Sequence, residues 1–239
     1  MLSHDSRIAR WLQPLGAGLL DVLYPVRCVG CRGHVPDPAL PLCSRCIQRF
    51  EHPSADEIRS HLERLTKPPP ALGVTAALWV FEQDGALQAI QHALKYGNRP
   101  RYGVALGRLM GTAFISDGHP RPDVIVPIPL HRTRHLERGY NQSAMLAEGL
   151  GEALDRPVAP EALTRPQPTR SQTTLSRSAR WDNVRDAFSA PQPEAIAGRS
   201  VLLVDDILTT GSTLAAAAHV LHDAGATSIG FATLAFARD

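Results

Sequence analysis

One segment constrains the fold of this 239-residue chain more than any other: Val201–Leu214, which reads VLLVDDILTTGSTL. A short apolar run, typical of a buried strand, leads into Asp205 and Asp206 and then into a hydroxyl-rich turn that opens a helix. Such a turn places backbone N–H groups at a helix N-terminus, where the helix dipole also favours an anion. This order of elements predicts an α/β domain with a phosphate-binding loop at the end of a strand.

The residues of this segment divide the predicted site into two parts. The two aspartates come just before the anion pocket, where a phosphate would repel them, so they are better suited to sugar hydroxyls or to a metal ion between sugar and pyrophosphate. A helix cap would explain one of these residues but not the whole run, and the segment lacks the Walker A pattern. The predicted phosphate cradle consists of Thr209, Thr210, Gly211, Ser212 and Thr213.

The rest of the chain after residue 73 alternates between strand and helix patterns. Apolar runs predict strands over 74–81, 124–128, 201–204 and 228–236. Helical spacing of apolar residues predicts helices over 85–96, 104–115, 140–154 and 214–224. Strands that alternate with helices indicate a parallel sheet covered by helices.

Four cysteines form a second motif with the spacing C-x2-C-x11-C-x2-C. Two CxxC pairs can complete a tetrahedron of thiolates around one zinc ion, and four protein ligands make the metal structural. Disulfides are disfavoured without a secretory signal, and a redox CxxC is disfavoured without a surrounding βαβ pattern. Because few apolar residues lie between the pairs, the metal is expected to supply most of the folding energy of this module. The predicted ligands are Cys28, Cys31, Cys43 and Cys46.

These patterns predict a three-part chain. Residues 1–52 would form an N-terminal helix and the zinc-finger module, residues 53–72 a charged helix and a proline-rich linker, and residues 73–239 the α/β domain. The apolar segment 8–26 is interrupted by polar residues and lacks a cleavage site, so it is expected to be an amphipathic helix rather than a signal peptide. No stretch is apolar enough to span a bilayer, and a cytoplasmic protein is predicted.

Charge and composition exclude some classes and single out one loop. With 44% hydrophobic and 20% charged residues the chain is globular, and a net charge of +2 gives no argument for nucleic acid. Lys67 and Lys95 are its only lysines. Between residues 163 and 188 the alternating pattern is replaced by a long polar loop, and loops of this length are functional or mobile more often than not. Its arginines are Arg165, Arg170, Arg177, Arg180 and Arg185.

Together these motifs resemble the ComF family, in which a zinc finger precedes a type I phosphoribosyltransferase domain with a Rossmann-like parallel sheet. The segment 201–214 resembles the family's motif for phosphoribosyl pyrophosphate (PRPP). Further matching segments occur in the same order: LYP at 23–25, LKYG at 94–97, VPIPL at 126–130 and RGYNQ at 138–142. Two spaced patterns follow, namely Arg165, Thr169 and Gln172, and then Arg180, Asn183 and Phe188.

The resemblance implies roles for individual residues. Asp205 and Asp206 would bind the ribose 2′- and 3′-hydroxyls of PRPP, the loop 209–213 would hold the 5′-phosphate, and Mg²⁺ would accompany the ligand. The family's pyrophosphate loop would correspond to Pro129, Leu130, His131 and Arg132, where a cis peptide is possible.

The arginine-rich loop would close over the reacting centre and neutralise the departing pyrophosphate. Many phosphoribosyltransferases use a lysine in this loop, but this loop has none. The catalytic role would therefore fall to Arg165, Arg170, Arg177 or Arg180.

Three functions remain open on the sequence alone. The first is Mg²⁺-assisted transfer of phosphoribose from PRPP to a nitrogen nucleophile, in the setting of DNA uptake during natural transformation. The second is a non-catalytic PRPP sensor or scaffold that binds competence proteins. The third is direct binding of single-stranded DNA through Arg132, Arg134, Arg138 and the arginine loop, with Tyr140 and Trp181 as the nearby aromatic residues.

Overall fold

The structure, a computed structural model, describes residues 26–82, 85–97, 99–166 and 187–238. Its centre is a sheet of four strands in the order β1-β4-β3-β2, and all neighbours run parallel. The strands are β1 (Leu72–Phe81), β2 (Val124–Pro127), β3 (Ser200–Leu208) and β4 (Ser228–Ala237). The predicted parallel α/β sheet is therefore confirmed.

Seven helices surround the sheet in the described part of the chain, together with two short 3₁₀ turns at Pro160–Ala162 and Pro193–Ala195. The helices are α1 (Ser44–Ile47), α2 (Ala55–Glu63), α3 (Ala86–Tyr96), α4 (Pro100–Ser116), α5 (Arg132–Arg138), α6 (Gln142–Leu154) and α7 (Ser212–Asp223).

The sheet is covered on both faces, which explains why its inner strands are apolar almost throughout. One core contains residues of α2 and α7, such as Leu62 and Leu221, packed on β3 and β4. The other core contains residues of α3, α4 and α6, such as Ile90, Leu106 and Leu150. The domain is thus a layer of strands between two layers of helices.

The closest helix contact in this arrangement joins α4 to α6. A Cβ atom on Gly149 of α6 would lie 1.9 Å from the carbonyl oxygen of Val104, a distance that only glycine permits. This contact fixes α6 beside the sheet, with its N-terminus near the carboxyl ends of β2 and β3.

The cysteine module packs on the second core. Val35 and Leu42 are buried with Trp79 of β1, and the ring centroids of Phe50 and Trp79 are 4.6 Å apart. A Cβ atom on Gly30 would lie 3.1 Å from Cβ of Ala86, at the start of α3. The folding energy of the module therefore includes this shared core, a contribution that its short sequence does not suggest.

Several boundaries differ from the sequence prediction. Strand β3 continues past residue 204 to Leu208, so it carries both aspartates, and the charged helix predicted within 53–72 is α2, which ends at Glu63. Helix α5 was not predicted, because its polar residues are exposed and give no apolar periodicity. The predicted helix over 8–26 lies outside the described residues apart from residue 26, and the division into three parts stays a prediction.

Candidate functional site

The candidate site lies where the carboxyl ends of β2 and β3 meet the N-terminus of α7. The register pairs Pro127 with Val204, and the N–H of Ile128 donates to the carbonyl oxygen of Val204 at 2.9 Å. The segment 128–132 and the aspartates of β3 therefore emerge at one edge of the sheet, the usual ligand-binding edge of such folds.

The two aspartates have different partners. Oδ1 of Asp205 accepts hydrogen bonds from Oγ of Ser143 at 2.8 Å and from the N–H of Asp206 at 2.9 Å. Oδ2 of Asp206 lies 2.9 Å from Nζ of Lys95, at the end of α3. Asp206 shares its strand face with Leu202 and Val204, which point to the helix layer that contains α3.

Burial of this acid pair shifts the protonation of Asp205. Removal from water, and then repulsion by the Asp206 carboxylate, raise its pKa to about 7, although the hydrogen bonds from Ser143 and the Asp206 amide and the attraction of Lys95 act in the opposite direction. The free protein therefore holds an acid pair whose full charge is costly, as expected of a site that binds hydroxyl groups or a cation.

The predicted phosphate loop follows directly. Gly211 has φ of 78°, and a Cβ atom there would lie 3.0 Å from Leu62 and 3.2 Å from Leu65. The hydroxyls of Thr210 and Ser212 are 3.3 Å apart. Because Gly211 is the N-cap of α7 and provides no side-chain cap, the first turn of this 12-residue helix presents its amides at the site. The loop 209–213 thus contains a left-handed glycine directly before a helix N-terminus.

The segment after β2 lies beside Arg165. Nδ1 of His131 accepts from the N–H of Thr133 at 3.3 Å and so starts α5. His131, Arg132 and Arg165 line a cavity of about 720 Å³ together with Thr133, Leu136, Glu137 and Pro166. All peptide bonds of the described residues are trans, so the cis bond considered for Pro129–Arg132 is not found.

Arg165 is the one predicted catalytic arginine that the described residues include. Its guanidinium lies 5.2 Å from the ring centroid of Phe188, burial lowers its pKa, and Asp205 attracts it. Arg170, Arg177 and Arg180 lie outside the described residues. The structure thus brings Arg165, the segment 129–132 and the acid pair to one edge of the sheet.

Residues of the segment RGYNQ form hydrogen bonds with the elements around the site. The Tyr140 hydroxyl donates to the carbonyl oxygen of Leu94, just before Lys95. Nδ2 of Asn141 donates to the carbonyl oxygen of Ile128 at 2.9 Å, and Oδ1 of Asn141 accepts from the N–H of Ser143 at 3.1 Å. The segment therefore connects α3, the end of β2 and the start of α6.

Sequence reasoning missed two polar contacts of this site. Ser143 directly follows the segment RGYNQ, but a single serine at the start of a helix gives no sequence signal of a binding role. Lys95 has two signals, the rarity of lysine in this chain and its place in the segment LKYG, but a lysine at a helix C-terminus is also explained by the helix dipole.

The four cysteines are also brought together. Their sulfur atoms all lie within 4.8 Å of one another, and the Sγ atoms of Cys31 and Cys43 are 3.7 Å apart. A zinc tetrahedron with Zn–S bonds of about 2.3 Å has S–S edges of about 3.8 Å, so the cluster is compatible with zinc.

The thiols of the cluster cannot all ionise without a cation. Burial opposes ionisation of Cys28, but the backbone N–H groups around it, that of Cys43 foremost, lower the pKa of its thiol to about 6. Burial, followed by the other three cysteines, raises the pKa of Cys46 to about 12. Such divergence is expected where several thiols share one small volume and compete for one negative charge.

Comparison with known proteins defines the class and then the family. The family model "Phosphoribosyl transferase domain" matches residues 156–239, which include β3, the acid pair and the phosphate loop. Together with the parallel sheet, this makes the protein a phosphoribosyltransferase-type α/β protein with an N-terminal four-cysteine cluster.

The similar proteins include "DNA utilization protein YhgH" of Escherichia coli K12, which is 36% identical over 195 residues, covering 79% of this chain and 81% of the relative. "Competence protein F" of Haemophilus influenzae is 30% identical over 216 residues, covering 85% and 93%. "Competence protein ComFC" of Bacillus subtilis is 34% identical over 102 residues, covering 43% and 39%. The chain belongs to the ComF family.

Within the described part of the chain, no helix has the length and apolar character that a membrane span requires.

The raised pKa of Asp205 predicts a specific pH dependence of stability. Between its ordinary pKa near 3.8 in the unfolded chain and about 7 in the folded protein, the folded state binds more protons. Stability therefore falls as the pH rises through this interval. Asp205→Asn should raise the free energy of unfolding at pH 8 by about 1–3 kcal/mol, and this gain should vanish towards pH 4. Urea denaturation across this range in Mg²⁺-free buffer measures it.

Asp223→Asn is the matched control, because the Asp223 side chain is 83% exposed at the other end of α7. It should leave the pH profile unchanged. An Asp205→Asn variant that is less stable than the wild type at pH 8 would contradict the assignment.

Proposed function

We propose that this protein binds PRPP at the carboxyl end of β3. Asp205 and Asp206 would accept hydrogen bonds from the ribose hydroxyls, and Thr209, Thr210, Gly211, Ser212 and Thr213 would hold the 5′-phosphate. The observation that carries the proposal is the direct succession of an acid pair, a glycine turn at φ of 78° and the N-terminus of a 12-residue helix whose N-cap residue is that glycine. Hydroxyl-binding carboxylates and an anion-binding helix start are thereby one loop apart, as a phosphorylated sugar requires.

The second half of PRPP would lie towards β2. The segment Pro129, Leu130, His131 and Arg132 would receive the pyrophosphate, and the nearby Arg165 would compensate part of its charge. Carboxylates and phosphate oxygens are the ligands that Mg²⁺ prefers, so the acid pair fits a magnesium ion held between ribose and pyrophosphate. When bound, that ion would neutralise charge on the pyrophosphate.

We further propose that the site supports phosphoribosyl transfer. A nitrogen nucleophile would form a bond to C1 of the ribose and lose its proton, while the bond from C1 to the pyrophosphate oxygen breaks and the pyrophosphate leaves with the electron pair. Arg165, with Arg170, Arg177 and Arg180 further along the sequence, would stabilise the leaving group. A protein that only senses PRPP would use the same pocket without this step.

The biological setting follows from the relatives. Their names refer to DNA utilization and competence, which supports a role of this chain in the handling of DNA taken up by the cell, together with other competence proteins. A cytoplasmic location, where PRPP and reduced cysteines occur together, stays a prediction.

Isothermal titration calorimetry with PRPP tests the proposal. The wild-type protein should bind PRPP in the presence of Mg²⁺, and the double variant Asp205→Asn/Asp206→Asn should bind on the order of 100-fold more weakly, because it loses two charged acceptors. Asp223→Asn, distant from the site on α7, should bind like the wild type. A folded wild-type protein that binds no PRPP would overturn the proposal, and pyrophosphate release in an acceptor screen would separate transfer from sensing.

We propose zinc as the structural metal of the cysteine cluster. Four sulfurs with an edge of 3.7 Å leave no open position for water, so the ion would hold the module together rather than act on substrate. Metal analysis should find one zinc per chain, and Cys43→Ser should lose it.

Loss of zinc should also be visible at Trp79, because the module covers this buried indole. Its fluorescence should shift to the red in the Cys43→Ser variant, whereas Ser44→Ala, an exposed neighbour, should keep both metal and spectrum. A metal-free wild-type protein with native fluorescence would contradict the assignment.

A second candidate function, the binding of single-stranded DNA, is favoured by one surface. Helix α5 exposes Arg132 and Arg134, and the Arg138 guanidinium lies 6.0 Å from the ring centroid of Tyr96, which is 64% exposed. Of the two aromatic residues near these arginines in the sequence, Tyr140 is buried and Trp181 lies outside the described residues. Tyr96 is therefore the described aromatic residue that could serve as a stacking platform beside these arginines.

Fluorescence anisotropy with a labelled oligonucleotide tests this candidate. Tyr96→Ala should weaken binding by roughly 5- to 100-fold, because one stacked base is lost. Arg132→Ala/Arg134→Ala should reduce the log–log salt slope by about 1.4, or 0.7 for each phosphate contact. Ile115→Ala, a partly exposed apolar control on α4, should change neither value. Equal affinity of all four proteins would contradict this function.

A further inference from the structure

We infer that Lys95 is the resident counter-ion of the acid pair: it cancels one carboxylate charge so that PRPP, a polyanion, binds with less Mg²⁺ than two bare aspartates would require. The inference rests on the proposed PRPP site and adds to it a positioning residue that the PRPP motif itself does not contain.

The contact is close and shielded from water. Nζ of Lys95 lies 2.9 Å from Oδ2 of Asp206, and the two side chains are 24% and 13% exposed. Partial burial strengthens the attraction between opposite charges relative to a surface pair, because fewer water molecules screen it. Asp205, by contrast, accepts its hydrogen bonds from two neutral donors, the Ser143 hydroxyl and the Asp206 amide.

The backbone that carries Lys95 is held in place by contacts of the preceding residue, Leu94. Leu94 is completely buried, and its carbonyl oxygen accepts the hydrogen bond from the Tyr140 hydroxyl. Ser143, three residues after Tyr140 in the sequence, donates a hydrogen bond to Asp205. One short segment therefore places the partner of each aspartate, which fixes the two contacts relative to each other.

The choice of residue is also informative. Lysine occurs twice among 25 basic residues, and the other lysine, Lys67, is exposed after α2. A lysine ammonium is a compact point charge with three donors, whereas a guanidinium is a wide planar fork that would cover both carboxylate oxygens. An ammonium on Oδ2 leaves the other oxygen of Asp206 able to accept a ribose hydroxyl.

The electrostatic consequence is a lower demand for magnesium. A ligand with a phosphate and a pyrophosphate meets repulsion from each uncompensated carboxylate, and either Mg²⁺ or Lys95 can offset it. Without the ammonium, more of the compensation must come from bound Mg²⁺. PRPP affinity at a fixed low Mg²⁺ concentration should therefore fall about 10-fold in Lys95→Met, and the Mg²⁺ concentration for half-maximal binding should rise.

Calorimetric PRPP titrations over a Mg²⁺ series test this inference with the wild type, Lys95→Met, Lys95→Arg and Lys67→Met. Lys95→Met should need more Mg²⁺, Lys95→Arg should recover part of the difference because it restores the charge, and Lys67→Met should match the wild type. Saturating Mg²⁺ should bring all four affinities closer together, which a merely misfolded variant would not show.

A second readout uses the wild-type protein itself. Carbon-13 labelling at lysine Cε gives two NMR signals, one for each lysine. Addition of PRPP with Mg²⁺ should shift the Lys95 signal and leave the Lys67 signal unchanged, and Asp206→Asn should move the Lys95 signal without ligand.

The outcomes separate the two proposals. If the wild type binds PRPP and Lys95→Met has the same Mg²⁺ requirement, the inference is wrong and the PRPP site stands. Tighter binding by Lys95→Met would also overturn it, since Lys95 would then compete with the ligand. If the wild type binds no PRPP, the proposed function is wrong, and this inference is then wrong as well because it rests on the PRPP site.

Discussion

The burial of two adjacent carboxylates at the end of β3 is the constraint around which the described structure is arranged. A carboxylate removed from water is unfavourable unless donors or cations replace the lost hydration. Here the replacements come from separate elements: a hydroxyl from α6, an ammonium from α3 and an amide from the strand itself. Each of these helices must therefore end or begin at the same edge of the sheet, and the close contact at Gly149 holds α6 in that place.

The elements outside the sheet have a similar role on the other side of the site. Helix α2 belongs to the segment predicted as a charged helix with a proline-rich linker, and its Leu62 packs against Gly211 at the start of α7. Arg238, directly after β4, contacts this helix through Glu57, which lies 2.6 Å from its Nε. It also contacts the segment before the helix through Glu51, which lies 2.7 Å from its Nη2. Hydrogen bonds from Arg238 lower the pKa of both glutamates, so both carboxylates stay ionised at a lower pH than free glutamate side chains do. Helix α2 therefore packs against the start of α7 and is connected to the end of β4.

The sequence predicted what is local and missed what is brought together over long distances. The acid pair, the hydroxyl turn and the helix after it are contiguous, so their arrangement follows from residue order alone. The contact of Lys95 with Asp206 spans more than a hundred residues, and that of Ser143 with Asp205 spans 62. No single-sequence pattern reveals such pairs. Tyr140 shows the same limit, because only the fold determines that its hydroxyl points inward to Leu94 rather than outward to a base.

Helix α3 contacts both the cysteine module and the acid pair. Ala86, at its first turn, packs against Gly30 of the cysteine module, and Lys95, in its last turn, contacts Asp206. The 11-residue helix is about 16 Å long and has no internal glycine or proline, the residues that most often kink a helix. The helix therefore contacts the cysteine module at one end and the acid pair at the other. The cysteine module, predicted from the sequence as a separate part of the chain, thus packs against the same helix that carries Lys95.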